Sequence, residues 1–188
     1  MLAGILEAGR ISLPVEVALV LILAATIIVG YFLWPFVTGA GYEPVPNKVL
    51  QRMIELSRPR AGQVVYDLGS GFGRMIIRVA QETGATCKGV EVDPTKVWWT
   101  RRAIRNKGLQ GKVSVLRSNL LDADISDADY VFVFLWEGIM QKLAAKALRE
   151  MKPGSVIVSY YHKIIGWEPE SEDQKLRVYL YRVPERRL

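Results

Sequence analysis

Three closely spaced glycines, Gly69, Gly71 and Gly73, come after residues 64–68, which are typical of a buried strand, and the acidic residue Glu91 follows a second apolar run. Glycine has no Cβ atom, so this spacing allows positive φ angles and lets a ligand approach backbone N–H groups at the start of a helix. A carboxylate about 20 residues further along can accept hydrogen bonds from both hydroxyls of a ribose. These residues therefore predict a site for a cofactor that contains a nucleoside.

The spacing of the glycines narrows the choice of cofactor. It reads G-x-G-x-G, whereas dinucleotide-binding proteins have G-x-G-x-x-G, so a pyrophosphate is not the first ligand to expect. A cofactor with an amino-acid carboxylate and a nucleoside fits better, because the helix N-terminus favours the carboxylate while Glu91 holds the ribose. S-adenosylmethionine has both parts. The alternative for Glu91 is a solvated strand end, and Asp93 is a rival acid that we expect to cap the helix beginning at Pro94.

The elements that must position these residues alternate between strands and helices. The predicted strands are 64–68, 87–92, 113–116, 130–135 and 155–161, and the predicted helices between them are 72–82, 94–106 and 140–151. Such alternation implies an α/β fold with a parallel sheet covered by helices on both faces.

Two further elements flank this alternating region in the sequence. Asn47 is expected to cap a short amphipathic helix that ends at Leu56. A polar, acidic loop over 168–173 precedes a last strand, 176–183, whose period-two alternation suits an edge strand with one solvent-exposed face.

The N-terminal region has a different composition. Residues 17–37 contain no charged residue and, as a helix, are long enough to cross a hydrocarbon layer of roughly 30 Å. We therefore predict one transmembrane helix over about 15–37, within an N-terminal segment 1–40, and a folded domain over 41–188. The alternatives are a buried core helix and a cleaved signal peptide, although the apolar run exceeds the usual ~7–15 residues of a signal peptide.

Basic residues near a membrane helix predict its orientation. Only Arg10 precedes the apolar run, whereas four basic residues follow it closely: Lys48, Arg52, Arg58 and Arg60. The folded domain is therefore expected on the cytoplasmic side of the membrane.

The composition excludes some classes of site. Cys87 is the only cysteine and His162 the only histidine, so neither an intrachain disulfide nor a Cys/His zinc site can form. The net charge of +6 suits anionic lipid headgroups or nucleic acid, but solvated helix faces near a membrane explain it equally well. No nucleic-acid partner is expected.

Two segments resemble the cofactor motifs of a known class of enzymes. Asp67-Leu-Gly-Ser-Gly-Phe-Gly73 resembles motif I of class I methyltransferases, which have a seven-stranded Rossmann-like sheet, and Gly89-Val-Glu-Val-Asp-Pro94 resembles their second acidic motif. More narrowly, residues 42–183 resemble the archaeal broad-specificity protein lysine methyltransferases and the related membrane-anchored mitochondrial lysine methyltransferases. Five landmarks carry this narrower resemblance: 42–46, 65–69, 89–91, 119–126 and 159–167.

The resemblance implies that S-adenosyl-L-methionine is the cofactor and assigns residues around it. The implied cofactor-binding residues are Asp67, Gly69, Ser70, Gly71, Gly73, Glu91 and Asn119. Glu91 would bind the ribose and Asn119 the adenine edge, although Asn119 as a simple turn residue is an equal alternative. The chain departs from the family at Val45, where Thr is usual, and at Phe72, where an acid is usual.

Aromatic residues are candidates for the channel that admits the methyl acceptor. By resemblance, Tyr42 would lie over the cofactor. Trp136 directly follows a strand, at the end where ligands bind in open α/β sheets, and Tyr161 ends another strand. A helix start for Trp136 and simple packing for Tyr161 are the alternatives, and His162 is either a base or a structural residue.

Trp98 and Trp99 are adjacent on one predicted helix, so their side chains point about 100° apart. We expect one of them to pack on the sheet and the other to reach adenine or lipid.

The function expected from the resemblance is methyl transfer from S-adenosyl-L-methionine to lysine side chains of proteins at or near the membrane. Two alternatives are a methyltransferase of a lipid or quinone and a non-catalytic cofactor-binding module, the latter suggested by Phe72. A DNA or RNA base methyltransferase is ranked last, because no [Asp/Asn/Ser]-Pro-Pro-[Tyr/Phe] sequence follows the fourth strand.

Overall fold

The structure is a computed structural model that describes residues 14–38 and 43–185. The chain divides into two compact units, Met1–Tyr42 and Glu43–Leu188. The described part of the first unit is essentially helix α1, Val15–Thr38, which contains one charged residue, Glu16. Its segment Val15–Leu33 is long and apolar enough to cross a membrane by length and composition, a test that signal sequences and core helices also pass.

The second unit alternates helices and strands as predicted. Its helices are α2 Asn47–Ser57, α3 Arg74–Thr83, α4 Pro94–Asn106 and α5 Glu137–Glu150. Its strands are β1 Val64–Leu68, β2 Thr86–Glu91, β3 Val113–Arg117, β4 Tyr130–Val133, β5 Val156–Tyr160, β6 Ser171–Asp173 and β7 Val178–Arg182. β1 and α4 have the predicted bounds.

The strands form one seven-stranded sheet in the order β3-β2-β1-β4-β5-β7-β6. Strands β1 to β5 are parallel, and β7 runs antiparallel to both β5 and β6. The seven-stranded Rossmann-like sheet is therefore confirmed, as a mixed rather than a purely parallel sheet. β1 lies between β2 and β4, so the strand order reverses its direction at β1. The carboxyl ends of β1 and β4 therefore flank the topological switch point, where ligands bind in such sheets.

The prediction of an exposed edge at the last strand was wrong. β7 lies inside the sheet, and Val178 to Tyr181 are all buried. Its alternation of aliphatic and tyrosine side chains reflects two different cores: Val178 and Leu180 pack in one, Tyr179 and Tyr181 in the other. The acidic segment predicted as a loop supplies the edge, since its last three residues form β6.

The two cores lie on opposite faces of the sheet. One contains the buried side chains of α2, α3 and α4, and the other contains those of α5. The glycine loop between β1 and α3 is thus held by helices on one face, while the segment after β4 leads into the helix on the other face.

The predicted cap of α2 was also wrong. Asn47 is the first residue of the helix, and Pro46 stands at the N-cap position without a side-chain hydrogen bond. The Oδ1 atom of Asn47 instead accepts a hydrogen bond of 2.9 Å from the guanidinium of Arg74, which opens α3. A polar side chain near a helix start is therefore used here to join two helices.

Candidate functional site

The loop after β1 is built on three left-handed glycines. Gly69, Gly71 and Gly73 have φ angles of 88°, 54° and 72°. The N–H groups of Gly69 and Ser70 donate to the carbonyl of Val90 at 2.9 and 3.0 Å, which ties the loop to β2. A side chain at any of the three positions would impose a strained backbone, so the glycines are required by the turn itself.

Glu91 fastens the other end of this loop. Only 5% of its surface is exposed. Oε2 accepts a hydrogen bond of 2.8 Å from Gly71 N–H, and Oε1 accepts one of 2.9 Å from Asp93 N–H. Each carboxylate oxygen can accept a second hydrogen bond. The carboxylate is therefore fixed in orientation and keeps the capacity to bind two hydroxyl groups.

Asp93 has the capping role that the sequence predicted. Its Oδ1 atom accepts hydrogen bonds from Thr95 N–H at 2.8 Å and Lys96 N–H at 3.4 Å, at the start of α4. Pro94 occupies the first turn of that helix. Asp93 is thus occupied at its own helix end, which leaves Glu91 as the acid that faces the glycine loop.

Two glycines owe their identity to close packing. A Cβ atom on Gly73 would lie 2.3 Å from Cγ2 of Thr100 on α4, and one on Gly89 would lie 2.6 Å from Oγ of Ser70. Thr100 is fully buried and its hydroxyl donates to the carbonyl of Gly71 at 3.2 Å. Both Thr100 and Gly89 therefore support the glycine loop. Gly89 belongs to the second acidic motif of the sequence, whereas no feature of the sequence indicated a role for Thr100.

Two polar groups are buried beside the loop. Among the described residues, Oγ of Ser70 has no hydrogen-bond partner although it is shielded from solvent. Asp67 is 6% exposed, and its burial, with a smaller contribution from the charge of Glu91, raises the pKa of its carboxyl group to about 7. Buried polar groups of this kind are normally satisfied, so both are suited to contact a bound polar ligand.

Asn119 occupies a turn. Its side-chain oxygen accepts a hydrogen bond of 2.9 Å from Leu121 N–H, and its carbonyl accepts from Asp122 and Ala123 at 3.1 Å. The side-chain amide N–H groups remain as donors. The turn role is therefore observed, and the contact with adenine stays a prediction.

The carboxyl ends of β4 and β5 bring together a group of aromatic residues. Trp136, at the N-cap of α5, is 65% exposed and its ring centroid lies 6.3 Å from that of His162. The rings of His162 and Tyr161 are 4.9 Å apart, and Phe134 packs on Tyr160 at 4.6 Å. We call Trp136, Tyr161 and His162 the aromatic cluster.

Tyr161 is held in an unusual backbone conformation. Its φ angle is 73°, and its N–H donates to the carbonyl of Arg177 at 2.8 Å. Arg177 also has a positive φ, 53°, and its guanidinium lies 4.4 Å from the centre of the Tyr161 ring. Non-glycine residues in this region cost about 1–3 kcal/mol each and concentrate at functional sites. Arg177 had no signal in the sequence that pointed to this contact.

The aromatic cluster follows β4, which pairs with β1 in the sheet, and β5, which pairs with β4. Leu135, between β4 and Trp136, has a methyl carbon 3.6 Å from the position of a Cβ atom on Gly69. The structure thus brings Trp136, Tyr161 and His162 together, and Leu135 connects the start of this region to the glycine loop. Tyr42 lies outside the described residues.

One expectation about the tryptophans of α4 was wrong. Trp98 and Trp99 are 52% and 50% exposed and contact each other edge to face at 4.8 Å. The side of α4 that packs on the sheet consists of Val97, Thr100 and Ile104. Neither tryptophan is buried on the sheet, because smaller side chains fill that space.

The strand order, the glycine loop and the buried acid at the end of β2 together define a class I, Rossmann-like methyltransferase. A model of the ANTKMT methyltransferase domain family matches residues 67–171. A protein-lysine N-methyltransferase of Saccharolobus islandicus is 34% identical, over 80% of this chain and 98% of its own. The adenine nucleotide translocase lysine N-methyltransferase of Mus musculus is 27% identical over 74% of this chain, and the match covers 65% of the mouse protein.

A solved structure agrees with these matches. The crystal structure of an RNA methyltransferase from Salinibacter ruber, in complex with S-adenosyl-L-homocysteine, is 34% identical with a TM-score of 0.74, covering 78% of this chain and 97% of its own. The chain belongs to the ANTKMT methyltransferase domain family. It is an S-adenosylmethionine-dependent methyltransferase, and the glycine loop, the fixed Glu91 carboxylate and the buried hydroxyl of Ser70 fit that cofactor.

Proposed function

We propose that this enzyme methylates lysine side chains of proteins at or near a membrane. Its relatives from Saccharolobus islandicus and from mouse are lysine methyltransferases. The observation that carries the proposal is the partly exposed aromatic cluster beside the glycine loop. In this proposal the cluster lines the entrance for a long, unbranched side chain such as that of lysine.

In this proposal the cofactor is held by the residues of the first two strand ends. Asp67, Gly69, Ser70, Gly71 and Gly73 border its methionine part, and Glu91 accepts hydrogen bonds from the ribose hydroxyls. Asn119 donates from its side-chain amide to the adenine edge. The fixed Glu91 carboxylate supports this assignment, since both of its oxygens are oriented by backbone N–H groups before any ligand binds.

The bound cofactor supplies an electrophilic methyl group on a sulfonium. The protein must then align the acceptor nitrogen with that methyl group and exclude water. Desolvation against aromatic side chains favours the neutral form of a lysine amine, which is the nucleophilic form. The face of Trp136 also stabilises the cationic methylated product through cation–π attraction, whereas the ring of Tyr161 already contacts the guanidinium of Arg177. The assignment of Tyr42 to the substrate channel stays a prediction from the resemblance.

We further propose that α1 is a retained transmembrane helix and that residues 41–188 form the catalytic domain on the cytoplasmic side. The length and composition of α1 and the excess of basic residues after it support this arrangement. Extraction of membranes with alkaline carbonate tests the anchor, because an integral protein stays in the pellet. Protease treatment of sealed vesicles tests the side.

The acceptor is identified by labelled-methyl transfer from the full chain into native membranes. Lysine methylation predicts label in protein, mapped by mass spectrometry to lysine residues and strongly reduced with Glu91→Gln. Chemical blocking of the lysine side chains of the membrane proteins before the assay should abolish this labelling. Label that is extracted into organic solvent would point to a lipid or quinone acceptor, and label that is released by ribonuclease would point to RNA, the substrate class of the Salinibacter protein. Either result would contradict the proposal.

A further inference from the structure

One segment of the chain carries its entire excess of positive charge. Residues 94–118 contain seven Lys or Arg residues and no Asp or Glu, whereas the whole chain has 25 and 19. The remainder of the chain is therefore almost neutral. This segment consists of α4, β3 and the turn between them.

The exposed side of α4 concentrates this charge next to aromatic rings. Trp98, Arg101, Arg102 and Arg105 follow the spacing i, i+3, i+4, i+7, so they share one helix face. All four are exposed, and Trp99 lies beside Trp98. We call these five residues the basic aromatic face. In the described part of the chain, no salt bridge engages Arg101, Arg102 or Arg105.

The basic aromatic face continues onto the edge of the sheet. Arg101 donates a hydrogen bond of 3.4 Å to the carbonyl of Val115 in the edge strand β3. Lys112 and Arg117, at the two ends of β3, are exposed as well. Arg101 therefore joins the exposed side of α4 to the edge strand flanked by these two cations, of which Lys112 also donates to the carbonyl of Gly84 at 3.2 Å.

Trp98 and Trp99 indicate which class of anion the basic aromatic face binds. A solvated helix face explains arginines, but it does not explain two adjacent tryptophans that each expose half of their area. Tryptophan is enriched at membrane–water interfaces, and clusters of basic residues attract anionic headgroups. Eight residues separate α1 from α2. Even fully extended, such a connector reaches only about 30 Å, which keeps the domain close to any membrane that α1 crosses.

We propose that the basic aromatic face docks on anionic lipid headgroups and holds the active site at the membrane surface. This inference rests on the proposed anchoring by α1. Thr100, on the opposite side of α4, donates to Gly71. Docking of α4 therefore places the glycine loop within about one helix diameter, roughly 10 Å, of the headgroups. Acceptor lysines close to the bilayer surface are favoured by this placement.

The test uses the full chain in nanodiscs with an environment-sensitive NBD fluorophore at Thr95→Cys, an exposed position at the start of α4. Cys87 is buried and should not compete for the label. NBD at Thr95→Cys should shift to the blue in discs that contain phosphatidylglycerol, relative to discs of phosphatidylcholine alone, and high salt should reverse the shift. The same label at Lys142→Cys, exposed on α5, should not respond.

Two charge-reversal variants form a matched pair, one on the basic aromatic face and one elsewhere on the surface. Arg102→Glu with Arg105→Glu should abolish the shift, whereas Lys152→Glu with Lys175→Glu, also exposed, should leave it unchanged. Retained affinity for S-adenosyl-L-homocysteine verifies that each variant is folded. Equal emission in both kinds of disc would overturn the inference. A shift produced by single-stranded RNA in neutral discs, and not by phosphatidylglycerol, would overturn it in favour of a nucleic-acid surface. If α1 does not anchor the protein, alkaline carbonate releases the protein from the membrane. This result distinguishes a failed anchor from failed docking on lipid headgroups.

Discussion

The glycine loop and the aromatic cluster are built in different ways. In the proposed function the loop, with Glu91, forms the cofactor side of the site, and the cluster, with Arg177, forms the acceptor side. On the cofactor side, every positive φ angle belongs to a glycine, and the loop is tied by short hydrogen bonds to β2 and Glu91. On the acceptor side, positive φ angles belong to Tyr161 and Arg177, which hold each other by a backbone hydrogen bond and a cation–π contact. The first region is relaxed in its backbone, whereas the second stores strain.

The contrast indicates which part of the proposed site is free to vary. A glycine turn binds a constant group, and substituting it damages the fold itself. A strained pair of large side chains is maintained only by its surroundings, so it can be exchanged when a different acceptor is selected. The cofactor side is therefore expected to respond to mutation through stability and cofactor affinity, and the acceptor side through recognition of the substrate.

The largest effect is expected for Gly73→Ala. Its Cβ would lie 2.3 Å from Cγ2 of Thr100 at a φ of 72°. Overpacking and backbone strain together should lower the free energy of unfolding by about 4 kcal/mol, measured by chemical denaturation. Gly62→Ala is the control, because φ there is 89° but nothing lies within 4 Å. It should cost only about 1 kcal/mol.

A second substitution separates the clash from the strain. Thr100→Ser removes Cγ2 but keeps the hydroxyl that donates to Gly71. In the Thr100→Ser protein, Gly73→Ala should lower the free energy of unfolding by about 1–2 kcal/mol less than it does in the wild type. An unchanged cost would show that the contact between α3 and α4 does not set the requirement for glycine.

Glu91→Gln should have the next largest effect, on cofactor binding. The amide replaces one acceptor oxygen by a donor, which opposes either Gly71 N–H or Asp93 N–H and weakens the bonds to the ribose. Affinity for S-adenosyl-L-homocysteine, measured by calorimetry, should fall about 100-fold. Asp93→Asn makes the same change of charge at a residue that caps α4 and should leave the affinity almost unchanged. Equal losses in both variants would contradict the ribose assignment.

Elements whose structure depends on residues close together in the chain could be predicted from the sequence. The glycine loop, Glu91 and the cap by Asp93 depend on residues within a short span, so β1 and α4 were predicted with their observed bounds. Contacts between distant segments could not be predicted. Arg177 meets Tyr161 only because β7 turns back beside β5, and β7 seemed suited to an edge because tyrosines that fill a second core resemble polar residues in a periodic pattern.

Asp67 offers a test of the electrostatics on the cofactor side. Burial and the charge of Glu91 raise its pKa to about 7, above the value in an unfolded chain, so the folded state binds the proton more tightly. Its contribution to stability is present at low pH and is lost as the pH rises towards 7. Between pH 5 and pH 6, the wild type should lose about 1 kcal/mol relative to Asp67→Asn. Parallel pH profiles from denaturant titrations of the two proteins would contradict the raised pKa.

The smallest effect is expected on the acceptor side, for Arg177→Gly. Glycine tolerates the φ of 53° and keeps the carbonyl that receives Tyr161 N–H, so only the guanidinium over the tyrosine ring is lost. A cation–π contact at an exposed site contributes about 0.5–1 kcal/mol, so the KM for a protein acceptor should rise about threefold while cofactor affinity stays constant. Lys175→Gly, an exposed change in the same turn, should alter neither quantity. A loss of cofactor affinity in Arg177→Gly would show that the two sides of the site are not separable, because the loss of the guanidinium from the Tyr161 ring would then have affected the glycine loop.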